Sequence, residues 1–298
     1  MPPKQAQTKK QPKTVSRWGQ QRRLEFVEFR LRWEGRLNRA DLMAYFGISV
    51  PQASLDISRY RELAPGNLTY DASARVYVAA ADFRPIFATS SPSRFLNDVL
   101  ARVSGVLDEE ASLIGWVPPT AATPVPGRTL DAQVLCSLLQ GIREQRRVRV
   151  RYHSLQRPEP TTRDLSPHAI AHDGFRWHAR AYCHTRDGFR DFVIARVLEA
   201  TVLDEPGRPS DEDRNWHATI ELVLAPHPKL PKAHQRAIEL DYGMLNGTVG
   251  ITCRQALAFY VMRHLGLDDE IERRPEVQQV VLKNRNAVQK AISAPEPA

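Results

Sequence analysis

The stretch FGISVPQASLDISRYREL, residues 46–63, decides how this chain is read. Gly47 suits a left-handed turn in which one helix ends and another begins at a steep angle, and Ile48 offers an apolar plug for that angle. Ser49 is a helix-capping residue type, and Pro51 falls in a first turn, where its missing N–H costs little. Ala53 is small enough for two helices to cross closely. Leu55 or Ile57, with Tyr60 and Leu63, is the expected buried side. Gln52, Ser54, Ser58 and Arg59 are then left outside, together with Ser49 at the helix start. These amide, hydroxyl and guanidinium groups can bond base edges and phosphates.

Working outward, RWGQQRRLEFVEFRLRW from Arg17 places Leu24, Val27 and Leu31 at helical spacing, with Phe26, Phe29 and Trp33 widening the apolar stripe. Gly35 stops that helix. Asn38 is a good cap for a second, Arg39 to Phe46, that buries Leu42, Met43 and Phe46. Beyond Pro65-Gly66, the run NLTYDASARVYV reads as two short strands around the turn Asp71-Ala72-Ser73. A hairpin directly after such a helix is a wing, and Tyr70 and Arg75 on it could reach phosphates or the minor groove. The expectation is a winged helix-turn-helix over residues 16–87, behind a disordered basic tail at 1–15.

The charge distribution agrees. The chain has 298 residues and a net charge of +8, which resolves into +7 over residues 1–64, −2 over 65–142, +6 over 143–196 and −3 over 197–298. Clustered basicity implies an anionic partner, whereas a scattered excess would imply only solubility. No apolar run approaches the ~20 residues that span a bilayer, and the Lys-rich start has no apolar core behind it, so neither a membrane protein nor a secretory signal is expected. Three distant cysteines, Cys136, Cys183 and Cys253, argue against a disulfide framework and for a reducing cytoplasm.

Residues 88–130 start in a Ser/Pro patch, Ser90 to Ser93, contain a helical pattern from Arg94 to Leu107 and end in VPPTAATPVPG, a linker. A helix from Asp131 to Glu144 leads into RRVRVRYHS, where alternation puts Val148, Val150 and Tyr152 on one face and Arg147, Arg149 and Arg151 on the other. Further strands are expected at Thr162 to Ala171, Phe175 to Tyr182 and Phe189 to Val197, which together make a small antiparallel barrel over 131–200. Arg176, His178, Arg180 and Tyr182 share one face of the third strand, and Arg190 and Arg196 share a face of the fourth. Such a surface suits phosphates and stacked bases. Residues 201–217, with the acidic run LDEPGRPSDEDRN, read as a linker, and 218–298 as an α/β unit whose net acidity argues against a second DNA contact.

His168, His172, His178, Cys183 and His184 lie close in sequence, but they fall on different strand faces or in turns, which argues against a metal site. There is no phosphate-binding loop, nucleophile elbow or dinucleotide fingerprint. Neither an enzyme nor a cofactor is expected. A non-specific nucleic-acid-binding protein is the alternative that shares the basic blocks.

Tyr152-x-Ser154, Pro167-His168, Trp177-His178-Ala179, Arg180-Ala181-Tyr182-Cys183, Phe189-Arg190-Asp191-Phe192 and Arg196 resemble a WYL domain, with Trp-His-Ala in place of the tripeptide that names the family. The resemblance implies an Sm-like or SH3-like barrel that binds a nucleic-acid or nucleotide effector. Its implied ligand residues are Tyr152, Ser154, His168, His178, Tyr182, Arg190 and Arg196. The order of modules is similar to that of the BrxR/CapW phage-defence regulators. This implies an α+β multidomain protein, with a C-terminal extension for homodimerisation, that represses a defence operon from an inverted-repeat DNA operator. An activator of the same architecture would carry the same residues.

Overall fold

The computed structural model describes residues 14–87, 91–267 and 274–293, and the chain divides into two compact units, Met1–Pro124 and Val125–Ala298. The basic tail expected at 1–15 lies outside the described residues except for its last two positions, which begin the first helix, and Ser90 of the Ser/Pro patch also lies outside.

The first unit begins with α1 (Thr14–Glu34), β1 (Arg36–Leu37), α2 (Arg39–Phe46) and α3 (Val50–Leu63). The wing strands β2 (Leu68–Asp71) and β3 (Val76–Ala79) follow, and then α4 (Pro92–Val103). Helix α1 is buried on more than one side because different elements cover it. Leu24, Phe26, Val27 and Leu31 join Leu37, Leu42, Ala53, Ile57, Tyr60 and Leu68 in one cluster, while Phe29 joins Val99 and Ile114 in another. On that second side Trp33 stacks on Phe95 of α4, with ring centroids 4.8 Å apart. Asn38 and Asp41 form a reciprocal cap at the start of α2, with Asn38 Oδ1 accepting from the Asp41 N–H at 3.1 Å and Asp41 Oδ2 from the Asn38 N–H at 2.6 Å. Gly47 ends α2 in the left-handed conformation at φ 62°, which glycine adopts without steric cost. The antiparallel sheet runs β1-β3-β2. The expected winged helix-turn-helix is therefore present.

In the second unit α5 (Ala132–Glu144) is capped by Asp131, which accepts from the N–H groups of Gln133 and Val134 at 2.8 and 3.0 Å. It packs on a sheet of β4 (Arg146–Tyr152), β5 (Thr161–His172), β6 (Trp177–Cys183), β7 (Gly188–Val193) and β8 (Val197–Pro206). The order is β7-β6-β5-β4-β8, antiparallel throughout. In a flat sheet β4 and β7 would lie about 14 Å apart. Yet the rings of Tyr152 and Phe192 on these strands come within 5.2 Å, so the sheet is strongly curved.

The curvature stops short of the expected barrel. β7 passes through a single turn, Ile194–Arg196, into β8, so the edge strands share a corner, but β8 pairs with β4 and not with β7. β8 also occupies part of the expected linker 201–217, and the remainder holds a turn at Ser210–Glu212 and the short helix α6 (Arg214–His217). The strand persists because Val202 and Ala200 lie opposite Val148 and Val150, which buries one face while the acidic residues stay outside.

The unit ends in β9 (Thr219–Pro226), α7 (Lys232–Asp241), β10 (Val249–Arg254), α8 (Ala258–His264), β11 (Val280–Leu282) and α9 (Arg285–Ser293). Its sheet order is β10-β9-β11, over a core that includes Leu222, Leu224, Met262 and Val288.

Candidate functional site

Helix α3 buries Ala53, Asp56, Ile57 and Tyr60. Of the expected buried side, Leu55 or Ile57 with Tyr60 and Leu63, the structure buries Ile57 and Tyr60 and exposes Leu55, to 64%, and Leu63. The space opposite α1 is taken instead by a carboxylate. Asp56 is wholly buried and accepts from Arg23 Nε of α1 at 2.6 Å and from Gln52 Nε2 at 3.2 Å. A one-turn apolar pattern cannot distinguish a leucine from a paired aspartate at the interface, and this is the signal the sequence withheld.

The outward residues then fall into two groups. Gln52 is tied to Asp56, and Ser54 Oγ accepts from Arg39 Nη1 at 3.4 Å, so both are held by their own domain. Ser58 lies between them, and Arg59 is exposed and pairs with Glu62 at 2.8 Å. Ser49 precedes the helix in an extended conformation, but its side chain makes no capping bond, so it marks the start of α3 without closing it. On the wing, Tyr70 is exposed and leans on Tyr77 with centroids 5.0 Å apart. Exposed Arg75 sits at φ 56° in the turn that Asp71 holds by accepting from the N–H groups of Ser73 and Ala74.

Buried polar groups tie α1 and α3 to the segments that flank the wing. Glu28 of α1 accepts from the Tyr60 hydroxyl at 3.1 Å and from the N–H groups of Ile86 and Phe87 at 2.7 and 2.8 Å. Asn67, just before β2, donates to Tyr60 Oη at 2.9 Å and to the Arg84 carbonyl. Burial, with the Glu28 charge nearby, raises the Tyr60 pKa well above its usual value, so the phenol stays a donor.

The expected ligand residues of the second unit separate onto two faces of the curved sheet. Tyr152 is buried on the α5 side, edge-on to Phe192 and under the Arg163 guanidinium at 5.6 Å. Arg190 lies opposite Ala181 in the β6–β7 register, on the same face as Phe192, and is exposed. The His153 N–H donates to the Arg196 carbonyl at 3.0 Å, which brings Ser154 and Arg196 to the shared corner. The Ser154 hydroxyl there is buried with no hydrogen-bond partner. Tyr152, Ser154 and Arg196 thus meet at this corner, and Arg190 lies two residues before Phe192 on the face that Tyr152 shares.

His168, His178 and Tyr182 lie on the other face, where α6 and α8 cover the two histidines. His168 Nε2 is 2.9 Å from Asp213 Oδ2, and its ring packs against Trp216 of α6. His178 Nε2 is 2.8 Å from Asp173 Oδ2, beneath Tyr260 of α8. The Tyr182 hydroxyl bonds Asp187, and Arg208 lies over its ring at 5.1 Å. Among them, Arg180 grips Asp213 with two bonds of 2.7 and 3.0 Å and reaches Asp191 at 3.2 Å, which also accepts from the Tyr260 hydroxyl at 2.9 Å. Burial works against the Asp213 charge, but the bonds from His168 and Arg180 outweigh it and hold its pKa down to about 2. Asp173 is likewise held at about 2, against burial, by His178 and the backbone N–H groups of Phe175 and Arg176.

Sequence reasoning missed Asp213, Trp216 and Tyr260. Asp213 sits inside the acidic run read as a linker, and the partners of α6 and α8 are visible only in the fold. Among the described residues, no group of three or more His, Cys, Asp or Glu is placed to hold a metal ion.

Comparison with known proteins agrees with this division. Residues 19–101 match the BrxR transcriptional regulator winged helix-turn-helix domain, 133–202 the WYL domain, and 219–288 the BrxR transcriptional regulator C-terminal dimerization domain. The chain is 45% identical over 278 residues to a DNA-binding transcriptional repressor CapW of Pseudomonas aeruginosa, covering 93% of each chain. It is 43% identical to proteins of the same name from Escherichia coli strain KTE188, with 92% of each chain covered, and from Stenotrophomonas maltophilia, with 91% of this chain and 92% of that one covered. With three family domains in this order and that identity over more than nine-tenths of the chain, the chain belongs to the BrxR/CapW family of transcriptional regulators.

Proposed function

We propose that this chain is a homodimeric, sequence-specific transcriptional repressor of a phage-defence operon. It reads an inverted-repeat operator with the outward face of α3 and the β2–β3 wing. It is released when a nucleic-acid or nucleotide effector occupies the corner of Tyr152, Ser154, Arg190 and Arg196. The observation that carries the reading is the similarity, over 93% of the chain, to a DNA-binding transcriptional repressor, in a chain whose helix-turn-helix presents α3 outward beside a wing. DNA as partner places its action in the bacterial cytoplasm.

The two faces of the β-sheet divide the labour. An exposed arginine, a buried serine hydroxyl that lacks a partner and a tyrosine suit phosphates and bases at the corner. His168, His178 and Tyr182 act behind it, in the polar layer that joins the sheet to α6 and α8. Arg190 and Asp191 are adjacent on β7 and face opposite ways, one toward the corner and one toward Arg180 and Tyr260. An effector drawn to Arg190 thereby shifts the layer next to the dimerisation domain. It releases DNA only in so far as it binds the released state better than the DNA-bound state.

The test is a footprint of the full chain upstream of its neighbouring genes, together with a promoter reporter. Repression is expected, and induction by the same chain would assign activation. Arg190→Ala and Arg196→Ala should keep operator affinity within about threefold while abolishing de-repression. Loss of operator affinity in both would show that these arginines serve DNA and not an effector.

A further inference from the structure

Leu55 is the one large apolar side chain of α3 that sits in the middle of its outward face. At about 100° per residue it lies within about 30° of the direction opposite the buried set Ala53, Asp56, Ile57 and Tyr60. Ser58 flanks it on one side, and exposed Pro51 stands one turn earlier. Gln52 and Ser54, the residues best equipped to bond base edges, fall on opposite flanks of the helix and are held by Asp56 and Arg39. What α3 offers foremost is therefore an isobutyl group, 64% exposed.

A single exposed leucine on a protein surface is ordinary. Here, however, it occupies the centre of a face lined, apart from Pro51, by hydroxyl, amide and charged groups. The major groove contains one apolar feature that distinguishes a base, the 5-methyl group of thymine. The geometry points to Leu55 as a specificity-determining residue that packs against a thymine methyl in each operator half-site, with the Ser58 hydroxyl on the neighbouring base edge. This rests on the reading of α3 as the DNA-reading helix.

The test starts from a pool of randomised duplexes, from which the wild-type chain selects its consensus. Each thymine of that consensus is then replaced singly by uracil, which lacks only the methyl group. At one thymine per half-site the wild type should bind about fourfold more weakly, the value of one buried methyl, and about fifteenfold more weakly when both half-sites carry uracil. Leu55→Ala should bind the thymine operator with a similar loss and be indifferent to uracil at that position, while Leu55→Met keeps the preference. Because the side chain is exposed, all three proteins should melt alike. A consensus in which no thymine is methyl-sensitive, or a sensitivity that survives unchanged in Leu55→Ala, overturns the assignment of Leu55 alone. A pool that yields no consensus overturns the reading of α3 itself, and Leu55 with it.

Discussion

Asp213 shows how much a single side chain can carry. It receives Arg180, His168 and the Trp216 N–H while wholly buried, and so joins β5 and β6 to α6. Its pKa is about 2 in the folded chain, against about 3.9 for a free aspartate. A carboxylate with a depressed pKa stabilises fully above its unfolded pKa and ceases to do so as pH falls through the folded one. The stabilisation is therefore present at and above about pH 4 and lost toward pH 2, by about 2–3 kcal/mol. Asp213→Asn should lower the melting temperature of the chain at pH 7 and flatten its decline between pH 4 and pH 2. An undiminished decline in the variant would locate the acid sensitivity elsewhere, with Asp173 the next candidate.

One element depends on a close approach that side-chain volume would break. A methyl group on Gly141 of α5 would lie 2.3 Å from Val148 Cγ2 and 3.2 Å from Pro167 Cγ, so this helix rests on β4 because that position has no side chain. Gly141→Ala should destabilise the second unit by about 1–3 kcal/mol in urea unfolding, the usual cost of overpacking, and an unchanged midpoint would refute the contact. Glu28 joins α1 to α3 and to the segment that follows the wing by polar means. Glu28→Ala removes the acceptor of the Ile86 and Phe87 N–H groups and of the Tyr60 hydroxyl. A loss of about 2–4 kcal/mol in the first unit is expected, with faster amide exchange at Ile86 and Phe87.

Much of this level was legible beforehand. Gly47, the Asn38 cap, the Asp131 helix start and the alternation of Val148, Val150 and Tyr152 each name their own conformation through local chemistry. Hidden features needed partners distant in sequence. The β6–β7 register placed Arg190 on the face opposite His178. The acidic strand β8 found its apolar partners only on β4, and Asp56 joins the buried side of α3 because Arg23 is there to meet it. The open sheet is of the same kind, since closure depends on whether two edge strands meet along their length.

For the whole molecule, the division of charge matches the division of labour proposed for the units. A net +7 over residues 1–64 covers α1 to α3, and +6 over 143–196 covers β4 to β7 of the curved sheet, while acidic β8 and the C-terminal domain that matches a dimerisation model lie in a stretch of net −3. Basicity alone draws any duplex, and it does so with a steep dependence on salt. Only a positioned α3 in each of two protomers distinguishes one sequence from the rest. The most direct test is competition binding by the full chain at physiological salt, between the inverted repeat upstream of its neighbouring genes and a scrambled duplex of equal length and composition. A sequence-specific repressor should prefer the repeat by about a thousandfold or more. A preference below about tenfold would contradict that reading and leave a non-specific nucleic-acid-binding protein in its place.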